Sequence, residues 1–123
     1  SEIDRLVAEG VTNDLEAVYV DVSTPTAVAG FEYTTLEALK RIREASNDPY
    51  VREHVSLYLR TEPGFARHTF VKPDPKYNIE KYQPAIDTQA DYEFFSKIYD
   101  KFYKEGEIID LGEVVAYIRD NKK

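Results

Sequence analysis

From Asp87-Thr88 up to Gly106 the chain has little choice but to form a helix. Tyr92, Phe95, Ile98, Tyr99, Phe102 and Tyr103 recur every three or four residues, which puts them on one face of a helical turn, and Gly106 stands beyond them as a stop. An aromatic stripe this wide must be hidden by another layer of the fold or by a second molecule.

The remaining signals alternate between helix and strand. Ile3, Leu6 and Val7 predict a short first helix over 1–9, with Gly10 as its end. From Leu15 to Val22, Leu15, Ala17, Tyr19 and Asp21 alternate with Glu16, Val18, Val20 and Val22, a β-branched and aromatic mix that suits a strand, closed by Ser23-Thr24-Pro25-Thr26. A short extended piece at Phe31–Tyr33 leads to a second helix. Its capping-box pair is Thr34 and Glu37, and its stripe is Leu36, Leu39 and Ile42. Asp48 and Pro49 start a third helix, read as continuous through Val51, Val55, Tyr58 and Leu59 to the Pro63-Gly64 break. His68 to Val71 reads as a strand, and 72–84, with three prolines and no periodicity, as a surface loop. A last helix begins at the Asp110 cap, with Glu113 at capping-box spacing, and carries Leu111, Val114, Val115 and Ile118. This order predicts an α/β fold with few strands and about five helices, in a single partial domain over 1–123.

Composition removes several classes of function. Sixteen basic against twenty-three acidic side chains leave a formal charge of -7, and the cations are scattered rather than clustered. Such a chain repels nucleic acid and anionic lipid, so neither is an expected partner. There is no cysteine, hence no disulfide and no thiolate metal site. No apolar run approaches the ~20 residues of a membrane span, and the expectation is a cytoplasmic protein. The chain starts at Ser1 and holds no methionine, which suggests a portion of a longer or processed product.

Two stretches place polar groups where helices begin. The first is Arg52-Glu53-His54-Val55 with Tyr58; the second is Ile86-Asp87-Thr88-Gln89-Ala90-Asp91, followed by Tyr92, Glu93, Ile98 and Tyr99. In this order they resemble the Arg-Glu-His-Val-Thr-Pro-Tyr and Val-Asp-Thr-Pro-Glu-Asp motifs of the sugar-activating cytidylyltransferases. That family includes spore-coat polysaccharide relatives and the enzymes making CMP-acylneuraminate and CMP-KDO. Glu32 falls in register with a further family glutamate. The departures are Ser56 and Leu57 in the first motif, Gln89 and Ala90 in the second, and Gln83-Pro84-Ala85 where the family commonly carries Arg-Trp-Thr.

What the resemblance implies is the carboxy-terminal half of a Rossmann-like nucleotide-diphospho-sugar transferase fold. The parent would transfer CMP from CTP to a sugar acid, with Arg52, Glu53, His54 and Glu32 contacting substrate and Asp87 holding magnesium. Magnesium keeps much of its water and asks for only one or two carboxylates beside substrate phosphates. The family's basic glycine-containing phosphate loop and second metal-binding aspartate have no counterpart here. This chain alone is therefore expected to be catalytically incomplete, meeting CTP and the sugar through the other half and pairing as a homodimer.

Each residue also has an ordinary reading. Asp87 can simply cap a helix, and His54 can be a surface histidine. Arg52 and Glu53, being adjacent, point to different sides of their helix. The tyrosines at helical spacing read as core with a wet hydroxyl, and His68 as a strand residue. On that view the chain is a non-catalytic interaction or dimerisation module that kept the scaffold, or an unrelated small α/β protein.

Overall fold

A computed structural model describes residues 1–80 and 85–121. Among these the fold is mixed α/β, with six α-helices and one three-stranded sheet, and it divides into two compact units. The first unit comprises residues 1–21 and 30–72, the second 22–29 and 73–123.

In the first unit, helix α1 (Glu2–Thr12) opens on a complete capping box. The Ser1 hydroxyl accepts from the Asp4 amide, and the Asp4 side chain reaches back to the cap. Gly10 does not stop this helix, as its sequence position had suggested. It is buried inside α1, and a Cβ there would overlap the ring of Tyr33. The glycine is a packing choice, letting a helix approach a sheet. Gly10→Ala should gain about 1 kcal/mol of helix propensity but cost about 1–3 kcal/mol in overpacking, for a net loss near 1 kcal/mol in a urea melt. In a Tyr33→Ala background, where the ring is gone, the same Gly10→Ala change should no longer destabilise. If Gly10→Ala alone stabilises, the close approach is wrong.

Strand β1 (Ala17–Val20) is central. It pairs antiparallel with β2 (Glu32–Thr34) and parallel with β3 (His68–Val71). All four β1 residues are buried, so both faces of this strand are covered. The register explains why. Val18 pairs with Tyr33, the ring that meets α1, so α1 covers that face. Ala17 and Tyr19 point to the opposite face and join Ala38, Ile42 and Leu59 in the core.

Helix α2 (Leu36–Ala45) is capped by Thr35, one residue later than its capping-box spacing suggested. Its buried stripe is accordingly Ala38 and Ile42, with Leu36 exposed. The predicted single helix over 49–62 is in fact three pieces: α3 (Pro49–Glu53), a 3-10 turn (Val55–Leu57) and α4 (Tyr58–Thr61). Asp48 caps α3 through the Tyr50 amide and Pro49 opens it, as the sequence indicated. The break falls at His54, whose φ of -114° and ψ of 57° are not helical. Leu59 is fully buried from α4, while Val55 remains exposed.

The frame is tied at the foot of β1 by Glu16, which bonds the Arg41 side chain and the Arg67 amide. These bonds, Arg41 first, hold the Glu16 carboxyl below its usual range.

In the second unit, residues 73–80 are not the plain surface loop expected. A 3-10 turn (Pro75–Tyr77) and an isolated bridge between Thr26 and Asn78 bury Tyr77 and Ile79. Ile79 packs with Ala27 and Val115. The rest of that expectation, 81–84, lies outside the described residues. Helix α5 (Gln89–Phe102) has the predicted aromatic stripe and ends at Tyr103, before Gly106, which takes a positive φ of 78° in the following turn. Helix α6 (Leu111–Asp120) starts at Asp110, whose carboxylate accepts from the Glu113 amide at 3.0 Å.

Candidate functional site

Sheet register puts chemistry at one end of the first unit. Because Glu32 pairs with Tyr19, both belong to the face that carries α2 and α4. There the 3-10 turn between α3 and α4 closes over them. The Tyr19 hydroxyl donates to the Ser56 carbonyl at 2.7 Å, and the Ser56 hydroxyl donates to Glu32 Oε2 at 2.8 Å. Ser56 thus clasps the central strand and the edge strand to the break in the helix.

A cleft of about 580 Å³ opens around this clasp. Its polar lining is Glu32, Thr34, Glu53, His54, Ser56 and Arg60, with Leu39, Val55 and Leu57 as apolar wall. The sequence-predicted residues Glu32, Glu53 and His54 therefore come together, although they arise from β2 and from the end of α3. The ring of His54 lies 4.6 Å from that of Tyr50, one turn earlier on α3. The guanidinium of Arg60 sits 5.0 Å above the centre of the Tyr19 ring. That ring is itself packed against Phe70, at 5.4 Å, and edge-on to His68. Burial chiefly, with the nearby Glu32 carboxylate, pushes the Tyr19 hydroxyl up to about 12, while Arg60 pulls the other way.

Arg52 does not join this cleft. It turns to the other side of α3, as adjacency to Glu53 requires, and Nη2 donates to Asn47 Oδ1 at 2.8 Å. There it borders a smaller hollow of about 250 Å³ with Leu39, Ile42 and Val51.

Asp87 belongs to the second unit and is exposed. It is not the cap of α5; Thr88 is, in a capping box with Asp91. Asp91 Oδ2 accepts from the Thr88 hydroxyl at 2.7 Å, the Thr88 amide at 2.8 Å and the Asp87 amide at 3.2 Å. The Thr88 bonds lead in holding its carboxyl below the ordinary range. Asp91 is thus committed to the helix end. Among the described residues no three His, Cys, Asp or Glu side chains group to hold a metal. Asp87 contributes a single exposed carboxylate just before the cap of α5.

Ser56, Tyr19 and Arg60 escaped the sequence reading. Ser56 was visible only as a departure from a motif, Tyr19 as a strand residue, and Arg60 carried no signal. The strand register is what unites them.

Among the described residues no helix is long and apolar enough to cross a membrane. No family model matches the chain, and no solved structure matches it. It is 36% identical over 78 residues to the spore coat polysaccharide biosynthesis protein SpsF of Bacillus subtilis, a stretch covering 63% of this chain and 32% of that protein. It is 25% identical over 123 residues to an uncharacterized protein of Methanocaldococcus jannaschii, covering 97% of this chain and 47% of that one. The chain thus spans about a third to about a half of the length of these curated relatives.

Proposed function

We propose that the chain is part of a nucleotidyltransferase of polysaccharide biosynthesis, and that its parent transfers CMP from CTP to a sugar acid. The observation that carries this reading is the meeting of Glu32, Glu53 and His54 in one polar cleft, in a chain similar to a spore coat polysaccharide biosynthesis protein. Carboxylates beside a histidine and a serine hydroxyl suit the alternating donors and acceptors of a sugar. Arg52, on the far side of α3, then supports the helix instead of touching substrate. Magnesium, with Asp87 as one ligand, would neutralise phosphate charge in the parent. The exposed Tyr92, Phe94, Tyr99 and Tyr103 of and beside α5 supply a surface for a homodimer.

The test is pyrophosphate release by the full-length parent supplied with CTP, magnesium and a panel of sugar acids, the isolated chain giving none. In that parent Glu53→Gln should lower kcat/KM for the sugar roughly tenfold, the loss of one charged hydrogen bond. A parent inert across the panel would refute the transferase reading.

A second reading, a non-catalytic interaction module, is favoured by the departure of Arg52 from the cleft. It requires no heat when the parent is titrated with CTP and magnesium.

A further inference from the structure

Within the second unit, residues of α5 and α6 line an apolar cleft of about 560 Å³. That volume suits a small organic molecule, for which sites run to roughly 300–1,000 Å³. Its walls are built in: Ile98 and Val114 are buried, and Phe95 and Leu111 are half-buried. The more exposed Tyr99 is held by its neighbour Tyr103, the two rings stacked at 4.6 Å and 14° from parallel.

Two polar groups interrupt this lining. Ser96 and Asp100 stand four residues apart on the fourteen-residue α5, one above the other on a single face, and both line the cleft. Among the described residues neither side chain has a hydrogen bond or ion pair. The lysines near Asp100 do not neutralise it. Lys104 pairs with Glu107 at 3.7 Å, Lys101 lies 4.8 Å from the centre of the Tyr117 ring, and Lys97, one turn before Asp100, makes no ion pair with it.

We propose that this cleft binds a small aromatic amine, with its ring among Phe95, Ile98, Tyr99 and Val114 and its ammonium on the Asp100 carboxylate, the Ser96 hydroxyl serving as a second acceptor. The site lies outside the proposed transferase reaction and stands without it. Charge complementarity selects the occupant. One unpaired carboxylate in an apolar lining is satisfied by a cation with an apolar body; a neutral aromatic leaves it unmatched, and an aromatic acid is repelled. The Tyr92 and Tyr99 rings at the same cleft add attraction for an ammonium group. A second copy of the chain, at a formal charge of -7, would bring like charge instead. Tyr92 and Tyr99 are thereby committed to the amine, leaving Phe94 and Tyr103, which do not line the cleft, for pairing.

The experiment is an NMR titration of the full 123-residue chain with phenethylamine, phenethyl alcohol, phenylacetate and ethylamine, with light scattering of the same samples. Phenethylamine should saturate at sub-millimolar concentration, shifting the amides of residues 95–100 and 111–114. The alcohol and ethylamine should each bind at least tenfold more weakly, and phenylacetate not at all. Asp100→Asn should cost phenethylamine at least tenfold while leaving the alcohol unchanged, and Ser96→Ala should cost it a few-fold, with circular dichroism reporting that both variants fold. Equal affinity for amine and alcohol, equal affinity for phenethylamine and ethylamine, or an Asp100→Asn variant that binds as wild type would each overturn the proposal. So would a chain that scatters as a dimer and takes up no amine, since a second copy then covers the cleft.

Discussion

Leu59→Ala is expected to lower the unfolding free energy of the chain by about 2–5 kcal/mol, read from a urea melt. Leu59 is fully buried among Ala17, Tyr19, Ala38 and Ile42, and α4, which carries it, is a single turn. A cavity there cannot be refilled by shifting a long helix. The partly buried neighbours Tyr58 and Phe65 are already locked edge to face at 4.8 Å. Against a typical domain stability of about 5–15 kcal/mol, the loss is a large fraction. Leu36→Ala is the control. The same residue type at an exposed helix start should change stability by less than about 0.5 kcal/mol. Similar costs for the two leucines would contradict the packing described for the first unit.

Stability should also fall steeply in alkali. Tyr19 ionises near pH 10 when unfolded and near 12 when folded, so below pH 10 both states hold the proton and the native state keeps its full advantage. As pH rises from 10 to 12 the unfolded chain loses its proton first, and about 2–3 kcal/mol of stability disappears. Tyr19→Phe separates this effect from the other tyrosines. It should cost about 1 kcal/mol at neutral pH for the hydrogen bond to Ser56, and should make the decline between pH 10 and 12 shallower. A decline of unchanged slope in the phenylalanine variant would mean that the Tyr19 hydroxyl is not shielded from water.

The elements with local causes were legible in advance. Asp48-Pro49 and Asp110 begin helices because their own side chains and ring satisfy backbone requirements within three residues, and the α5 stripe follows from spacing alone. What required the folded chain was every feature set by a distant partner. Gly10 reads as a stop until Tyr33 is seen against it. Residues 55–59 have helical periodicity, yet the turn breaks at His54 where the Ser56 carbonyl receives the Tyr19 hydroxyl. Tyr77 and Ile79 are buried in a proline-rich stretch because a bridge to Thr26 draws it inward. In the candidate site, Glu53 and His54 followed from a contiguous motif. Arg60 did not, since its place over Tyr19 depends on a strand some forty residues earlier.

The segmented wall of the cleft has a dynamic consequence. Helices of five and four residues lack the cooperative run of internal bonds that lets a longer helix persist unaided, so residues 49–61 keep their shape only while the sheet grips them. Loosening the Ser56 clasp should let that rim detach as a unit while β1 stays paired, with amide exchange quickening at 54–58 well before Val18 or Tyr19 responds. The opening of the cleft would then follow a hinge whose stiffness is set at one serine.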